Sequence, residues 1–209
     1  LIVARDIAGL DPKQKNASLK DALEVVREFP LAGYAVLTIA LSHMVMVSVM
    51  SMTPAHLNAA GHSLADVGFT ISLHVAGMYS LAPVFGWLTD KFGAIRIVIT
   101  GQFISLTSLA VSGFWQSEFY AVVLGLFLLG VGWSASTVAA SALLSETLAT
   151  GQRSKVQGFS DSLMNLSGAF GGAISGIILT MFTFGGLNAA ALVPVVFITL
   201  ANSYSKKWR

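Results

Sequence analysis

The chain has 209 residues, 55% of them hydrophobic and only 11% charged, with a mean hydropathy of +0.74. A soluble domain carries about 25% charged residues, so this composition excludes a water-soluble globule and requires a protein that lives in a bilayer. A net charge of +2 supplies no basic stripe for nucleic acid, and the lack of cysteine removes disulfides, thiolate metal sites and cysteine nucleophiles; no metal or cofactor is expected.

Residues 1–4 are apolar and read as the cut tail of an earlier helix, which makes the chain a fragment, and no basic region with an apolar core marks a signal peptide. Lys13, Lys15, Lys20 and Arg27 are then interspersed with Asp6, Asp11, Asp21, Glu24 and Glu28. Residues 1–30 are therefore expected as a solvated cytoplasmic linker and 31–209 as a transmembrane bundle. Within the linker, Ser18 followed by Asp21 is a helix start, which predicts a short amphipathic helix over 19–29 lying on the membrane surface.

Six apolar stretches follow, at about 31–52, 66–88, 94–114, 119–145, 156–183 and 186–204. Each approaches the roughly 20 residues that cross a hydrocarbon core at about 1.5 Å per residue. All 12 Lys and Arg fall on one side of the resulting zigzag: Arg5, Lys13, Lys15, Lys20 and Arg27 before the first crossing, Lys91 and Arg96 after the second, Arg153 and Lys155 after the fourth, and Lys206, Lys207 and Arg209 after the sixth. The positive-inside tendency then places both termini in the cytoplasm. Pro83 and Pro194 predict bends in the second and sixth crossings. Gly168, Gly172 and Gly176 in the fifth, and Gly125, Gly130 and Gly132 in the fourth, predict close helix approach.

The segment between the second and third crossings, Gly86-Trp87-Leu88-Thr89-Asp90-Lys91-Phe92-Gly93-Ala94-Ile95-Arg96, is a charged, glycine-bracketed reversal. Gly86 lets the incoming helix pack closely, Asp90 caps or pairs, Gly93 permits the turn, and Lys91 and Arg96 mark the cytoplasmic face. At these residues the chain resembles the major facilitator superfamily, whose loop signature is roughly G-x-L-x-D-[RK]-x-G-x-x-[RK]. The resemblance implies an all-α membrane protein, six transmembrane helices forming one half of a 12-helix bundle, each half built of two inverted three-helix repeats. It further implies that the charged start is the join between halves, that these are helices seven to twelve, and that an N-terminal six-helix half is the partner. Glu146 and Arg153, separated by six residues, are similar to the E-x6-R element of sugar-porter members. By that resemblance they join Asp90, Lys91 and Arg96 in a cytoplasmic latch that holds the outward-facing state closed.

An ionisable group at membrane depth costs at least about 2.5 to 3.5 kcal/mol on insertion scales, so each needs a reason. Asp161 lies in the fifth crossing on one face with Asn165, Gly168 and Gly172. It is the candidate carrier of a coupling proton, or alternatively a helix-start residue favoured by the dipole. His43, on a face with Met46, Val47 and Met50, and His74, four residues before Met78, are candidates for proton relay or substrate recognition. The alternative for each is a histidine that bonds a neighbouring carbonyl and does nothing else. In the family the first, second, fourth and fifth helices of a half line the cavity, while the third and sixth face lipid. The resemblance thus implies that Trp133, Ser134, Thr137 and Ser141 add an aromatic and hydroxyl surface, and such a cavity suits a moderately apolar solute. His56 and His62 are expected as solvated residues of an outer loop.

The resulting reading is a secondary active transporter of the plasma (inner) membrane, moving a small solute by alternating access with proton coupling. Two alternatives are a receptor or scaffold that kept the fold, and an intramembrane hydrolase using Ser134 or Ser136 with His43 or His74. The hydrolase is disfavoured because Gly132-Trp133-Ser134-Ala135-Ser136 lacks the second glycine of a G-x-S-x-G elbow.

Overall fold

The computed structural model describes residues 19–205. The segment 1–18, including the expected helix start at Ser18, and the basic residues Lys206, Lys207 and Arg209 lie outside the described residues. All regular structure among the described residues is helical. Helix α1 (Leu19–Glu28) is the short helix expected before the bundle; Ala22 is buried, and Gly33 lets Val26 approach so closely that an added Cβ would lie 3.2 Å from the Val26 carbonyl oxygen.

Helix α2 (Pro30–Ala59) opens on proline, whose missing N–H and fixed φ suit a first turn. It runs to Ala59 rather than to 52, carrying Pro54 inside it and His56 in its last turn. The second crossing is two helices, α3 (Leu64–Tyr79) and α4 (Ala82–Phe92). Ser63 caps α3 in a reciprocal capping box with Asp66. Pro83 has no N–H to offer the Tyr79 carbonyl, so the bend expected there is an interruption at Ser80 and Leu81. Gly93, at φ 89 and ψ 142, turns the chain into α5 (Ala94–Phe114), a conformation open to glycine and strained for other residues. Helix α6 (Phe119–Thr147) follows.

The last element, α7 (Thr150–Ser205), is broken at Thr183, where φ is 73 and ψ 175. Its two arms, 150–182 and 184–205, run in opposite directions along α2. Gly168 meets His43 and Ser175 meets Ser51, so the first arm climbs with α2. On the return, Phe184 and Leu187 cluster with Val45 and Val49, whereas Ile198 clusters with Val36. Six crossings therefore result, with the reversal between the fifth and sixth where the hydropathy pattern predicts it.

Helix α6 is the most buried span and touches α2, α3, α4 and α5; α3 and α4 form the least buried crossing. In lipid, close packing and hydrogen bonding replace the hydrophobic effect as the cohesive force between helices. Gly125 illustrates this: a Cβ there would lie 2.6 Å from the Ser112 Cβ, and the bare glycine lets Ser108 Oγ donate to the Gly125 carbonyl at 2.6 Å. Two apolar clusters result. One, around Ile39, Val98, Ala139 and Leu144, lies toward Gly93, and the other, around Val49, Leu109, Leu126 and Phe184, lies toward Gly61.

Candidate functional site

Between those clusters lies a polar layer at half height, and there α2, α3, α6 and the first arm of α7 converge. His43 of α2 is half-buried, with its ring centroid 6.0 Å from that of Trp133 on α6 and tilted by 49°. Trp133 in turn meets Tyr79 of α3 edge-on at 6.2 Å. Gly168 of α7 completes the contact, since a Cβ on it would lie 2.7 Å from His43 Cδ2 and 3.0 Å from Nε2. The structure thus brings His43, Trp133 and the Gly168 face together across the crossings expected to line a cavity. His43 Nδ1, Trp133 Nε1, Ser134 Oγ and Thr137 Oγ1 are buried and make no hydrogen bond to another described residue.

From this cluster a polar stripe descends α7. Gln157 Nε2 donates to Asp161 Oδ1 at 3.0 Å, Asn165 Nδ2 donates to the Asp161 carbonyl at 2.7 Å, and both Asp161 and Asn165 are exposed. Seven residues of helix separate Asp161 from Gly168, a rise of about 10 Å. Asp161 therefore does not touch His43, but shares the helix face that ends at it.

His74 is placed differently. It is fully buried, its Nδ1–H donates to the Leu126 carbonyl at 2.7 Å, and Gly130 makes room for it. Since a carbonyl only accepts, the hydrogen sits on Nδ1 and leaves Nε2 as a buried acceptor without a partner. This is the carbonyl-bonded arrangement.

Gln102, on the third crossing, is a polar centre that the sequence reading passed over. Its Nε2 donates to Ser42 Oγ at 3.1 Å and Ser136 Oγ at 2.8 Å, tying α2, α5 and α6, while its Oε1 has no partner. The signal in the sequence is a lone glutamine inside the apolar run 94–114, and in the structure it is 1% exposed. His56 and His62 are half-exposed, His56 in the last turn of α2 and His62 in the loop that follows, and both make local contacts. His56 stacks on Phe184 at 4.3 Å and 5° and bonds the Gln116 carbonyl at 2.7 Å, and His62 packs on Phe119 at 4.7 Å. His56 is held because α2 runs on to Ala59, against the turns at 113–119 and 183–185.

At the Gly93 end, Arg96 and Glu146 line one shallow cavity with Leu31 and Leu143. Lys91 Nζ lies 4.7 Å from the Trp87 ring and 5.3 Å from that of Phe92, and Arg153 Nε donates to the Leu148 carbonyl at 2.8 Å. Asp90 is exposed, Gly86 has open space around it, and these five charges are not ion-paired with one another. A separate apolar groove of about 120 Å³ between α2 and both arms of α7, lined by Met44, Phe170, Ile174 and Pro194, contains none of the expected site residues.

No nucleophile–base pair is assembled among the described residues. Ser134 Oγ has no partner, Ser136 Oγ accepts from Gln102, and neither histidine bonds a serine hydroxyl.

Comparison with known proteins follows the same lines. The family model of the Major Facilitator Superfamily matches residues 35–208. The chain is 32% identical over 206 residues to the uncharacterized MFS-type transporter YddS and 34% identical over 205 residues to YdeG, both of Bacillus subtilis, covering 94% of this chain and 47% of each relative. It is 27% identical over 164 residues to the riboflavin transporter RfnT of Brucella anthropi, covering 74% of this chain and 40% of that protein. The chain spans about half the length of the curated relatives it matches.

Proposed function

The chain belongs to the major facilitator superfamily and is an integral, multi-pass membrane protein, and on that premise we propose that it is one six-helix half of a proton-coupled secondary transporter, the half comprising helices seven to twelve. A family of transporters leaves no place for the hydrolase alternative. The observation that carries the reading is the convergence of α2, α3, α6 and the first arm of α7 on His43, Trp133, Tyr79 and Gly168, with unsatisfied polar atoms at membrane depth. In alternating access the two halves rock about a site near the midplane, and this face is the half's contribution to that site.

Within that scheme Asp161 takes a proton at the cytoplasmic mouth, Asn165 continues the polar stripe, and His43 receives the proton beside the solute. His74 buttresses α3 against α6. Gly86, Asp90, Lys91, Gly93, Arg96, Glu146 and Arg153 form the cytoplasmic gate, whose charges pair when the halves close that side. Both termini of this segment are cytoplasmic and the membrane is the plasma membrane.

The test measures lumenal pH in proteoliposomes holding the full-length protein while sugars, organic acids, amino acids, vitamins and lipophilic drugs are added in turn. A compound-dependent proton flux is expected. Asp161→Asn should retain substrate exchange while losing accumulation driven by a pH gradient. Undiminished gradient-driven accumulation in that variant would remove Asp161 from the mechanism, and ligand binding with no flux of any kind would turn the reading to a receptor.

A further inference from the structure

Helix α1 is bent across the start of α2 rather than set in line with it. Val26 and Gly33 would be about 10 Å apart along a straight helix, yet a Cβ on Gly33 would lie 3.2 Å from the Val26 carbonyl oxygen and 3.4 Å from its Cγ1. The bend falls at Phe29, where φ is -113 and ψ 89, and Pro30 opens α2 beyond it. At about 100° per residue, the side chains of α1 then divide into sectors. Ala22 is buried, and Val25, Val26 and Phe29 beside it pack on the cluster of Ala32, Val36, Val156 and Ile198. Leu19 and Leu23 adjoin that sector and stay 66% and 39% exposed. Lys20 and Arg27 come next, and Asp21, Glu24 and Glu28 take the side away from the bundle.

Amphipathicity alone predicts a helix on the membrane surface, but most of its apolar face is taken up by protein. What remains is a leucine ridge edged by cations, with the acids on the far side. Leucines in that place enter the acyl boundary, and long cationic side chains beside them reach headgroup phosphates. The ridge also leads to a groove. Leu19, Leu23 and Val26 follow one another at helical spacing, and Val26 ends on Gly33, which lines a cavity of about 260 Å³ with Pro30, Tyr34, Leu37 and Ala201. Pro30, Gly33, Tyr34 and Leu37 share one face of α2, so the groove runs from the bend into the membrane span. We propose that this is a binding site for an anionic phospholipid. Arg27, at the mouth of the groove, takes the phosphate, one acyl chain lies along Pro30, Gly33 and Leu37, and Leu19 and Leu23 enter among neighbouring chains. Lys20, two turns from Arg27, adds to the attraction for an anionic surface. The site lies wholly within this chain and does not depend on the transport reading.

The experiment uses the full-length protein in a cysteine-free background, reconstituted in phosphatidylcholine alone or in equal parts of phosphatidylcholine and phosphatidylglycerol. An environment-sensitive fluorophore is placed on Leu23→Cys or, on the opposite side, Glu24→Cys, and nitroxide-bearing phosphatidylcholine reports contact with lipid. The Leu23 label should be blue-shifted and quenched, more so with phosphatidylglycerol present, and the Glu24 label should be neither. Native mass spectra of the unlabelled protein should show bound phosphatidylglycerol that inorganic phosphate does not displace. Arg27→Gln should weaken that binding by about fivefold, and Leu37→Trp, which fills the groove, should weaken it as well, whereas Glu28→Gln should not. Quenching at Leu23 that is equal in the two lipid mixtures, or no stronger than at Glu24, would overturn the proposal. So would a Leu23 label that is blue-shifted but unquenched, and hence covered by protein, or lipid binding that is unchanged in Arg27→Gln or Leu37→Trp or lost to inorganic phosphate.

Discussion

Gly168 and Gly172, one turn apart on α7, make opposite demands on their neighbours. A Cβ at Gly168 would lie 2.7 Å from His43 Cδ2, whereas at Gly172 the nearest atom is Val47 Cγ1 at 3.5 Å, an ordinary contact. Gly168→Ala should therefore push the His43 ring off α7, costing about 1 to 3 kcal/mol from overpacking and abolishing proton-linked flux. Gly172→Ala should leave both unchanged; thermal unfolding in detergent and flux in proteoliposomes check the pair. The repeat of glycine every four residues was legible in the sequence, but not which glycine meets His43. That depends on the rotation of α7 about its axis against α2, which periodicity alone does not supply. The end of the first crossing was set short for a related reason: the apolar run stops near 52, yet the helix passes through Pro54 and carries His56 onto Phe184.

At the scale of elements, apolar run length was enough to place six crossings, because the bilayer fixes how much chain each one needs. It could not expose Gln102, whose partners Ser42 and Ser136 come from two other helices. Since Gln102 Oε1 is buried and unpartnered, Gln102→Leu removes a penalty along with two hydrogen bonds. The serines can fall back on carbonyls of their own helices, so stability should change by no more than about 1 kcal/mol. Gln102→Glu should cost at least about 2.5 to 3.5 kcal/mol by placing an acid there, and comparing the two melting curves is the measurement. The hinge between the arms of α7 makes the converse prediction. Thr183, at φ 73 and ψ 175, occupies backbone space that is almost confined to glycine, a strain of about 1 to 3 kcal/mol. Thr183→Gly should therefore raise the melting temperature, and a fall would show that the threonine is held for another reason.

On the scale of the whole molecule, all 12 basic residues lie on one side of the zigzag, and the orientation that follows is directly measurable. In a cysteine-free full-length background, Ala60→Cys, between α2 and α3, should react with an impermeant maleimide added to intact cells. Gly151→Cys, just after α6, should react only once the cells are opened. Both positions are exposed, so silence at Ala60→Cys with labelling at Gly151→Cys would invert the topology. The sequence offered candidate residues for a cavity face and not their geometry. Tyr79, a tyrosine among many apolar neighbours, stands out only once α3 is set beside α6 and α2 beside α7.

The looseness of the second crossing has a bearing on biogenesis. Phe69, Val75, Tyr79, Val84 and Trp87 are all exposed on α3 and α4, the least buried crossing. If a second half normally covers that surface, then newly made protein with this crossing uncovered presents an aromatic-rich apolar face on a helix interrupted at Ser80 and Leu81. Such a helix is where a membrane-embedded protease or an insertion chaperone would recognise an unassembled copy. The surface kept for assembly in the finished protein would then also mark an incomplete one for removal.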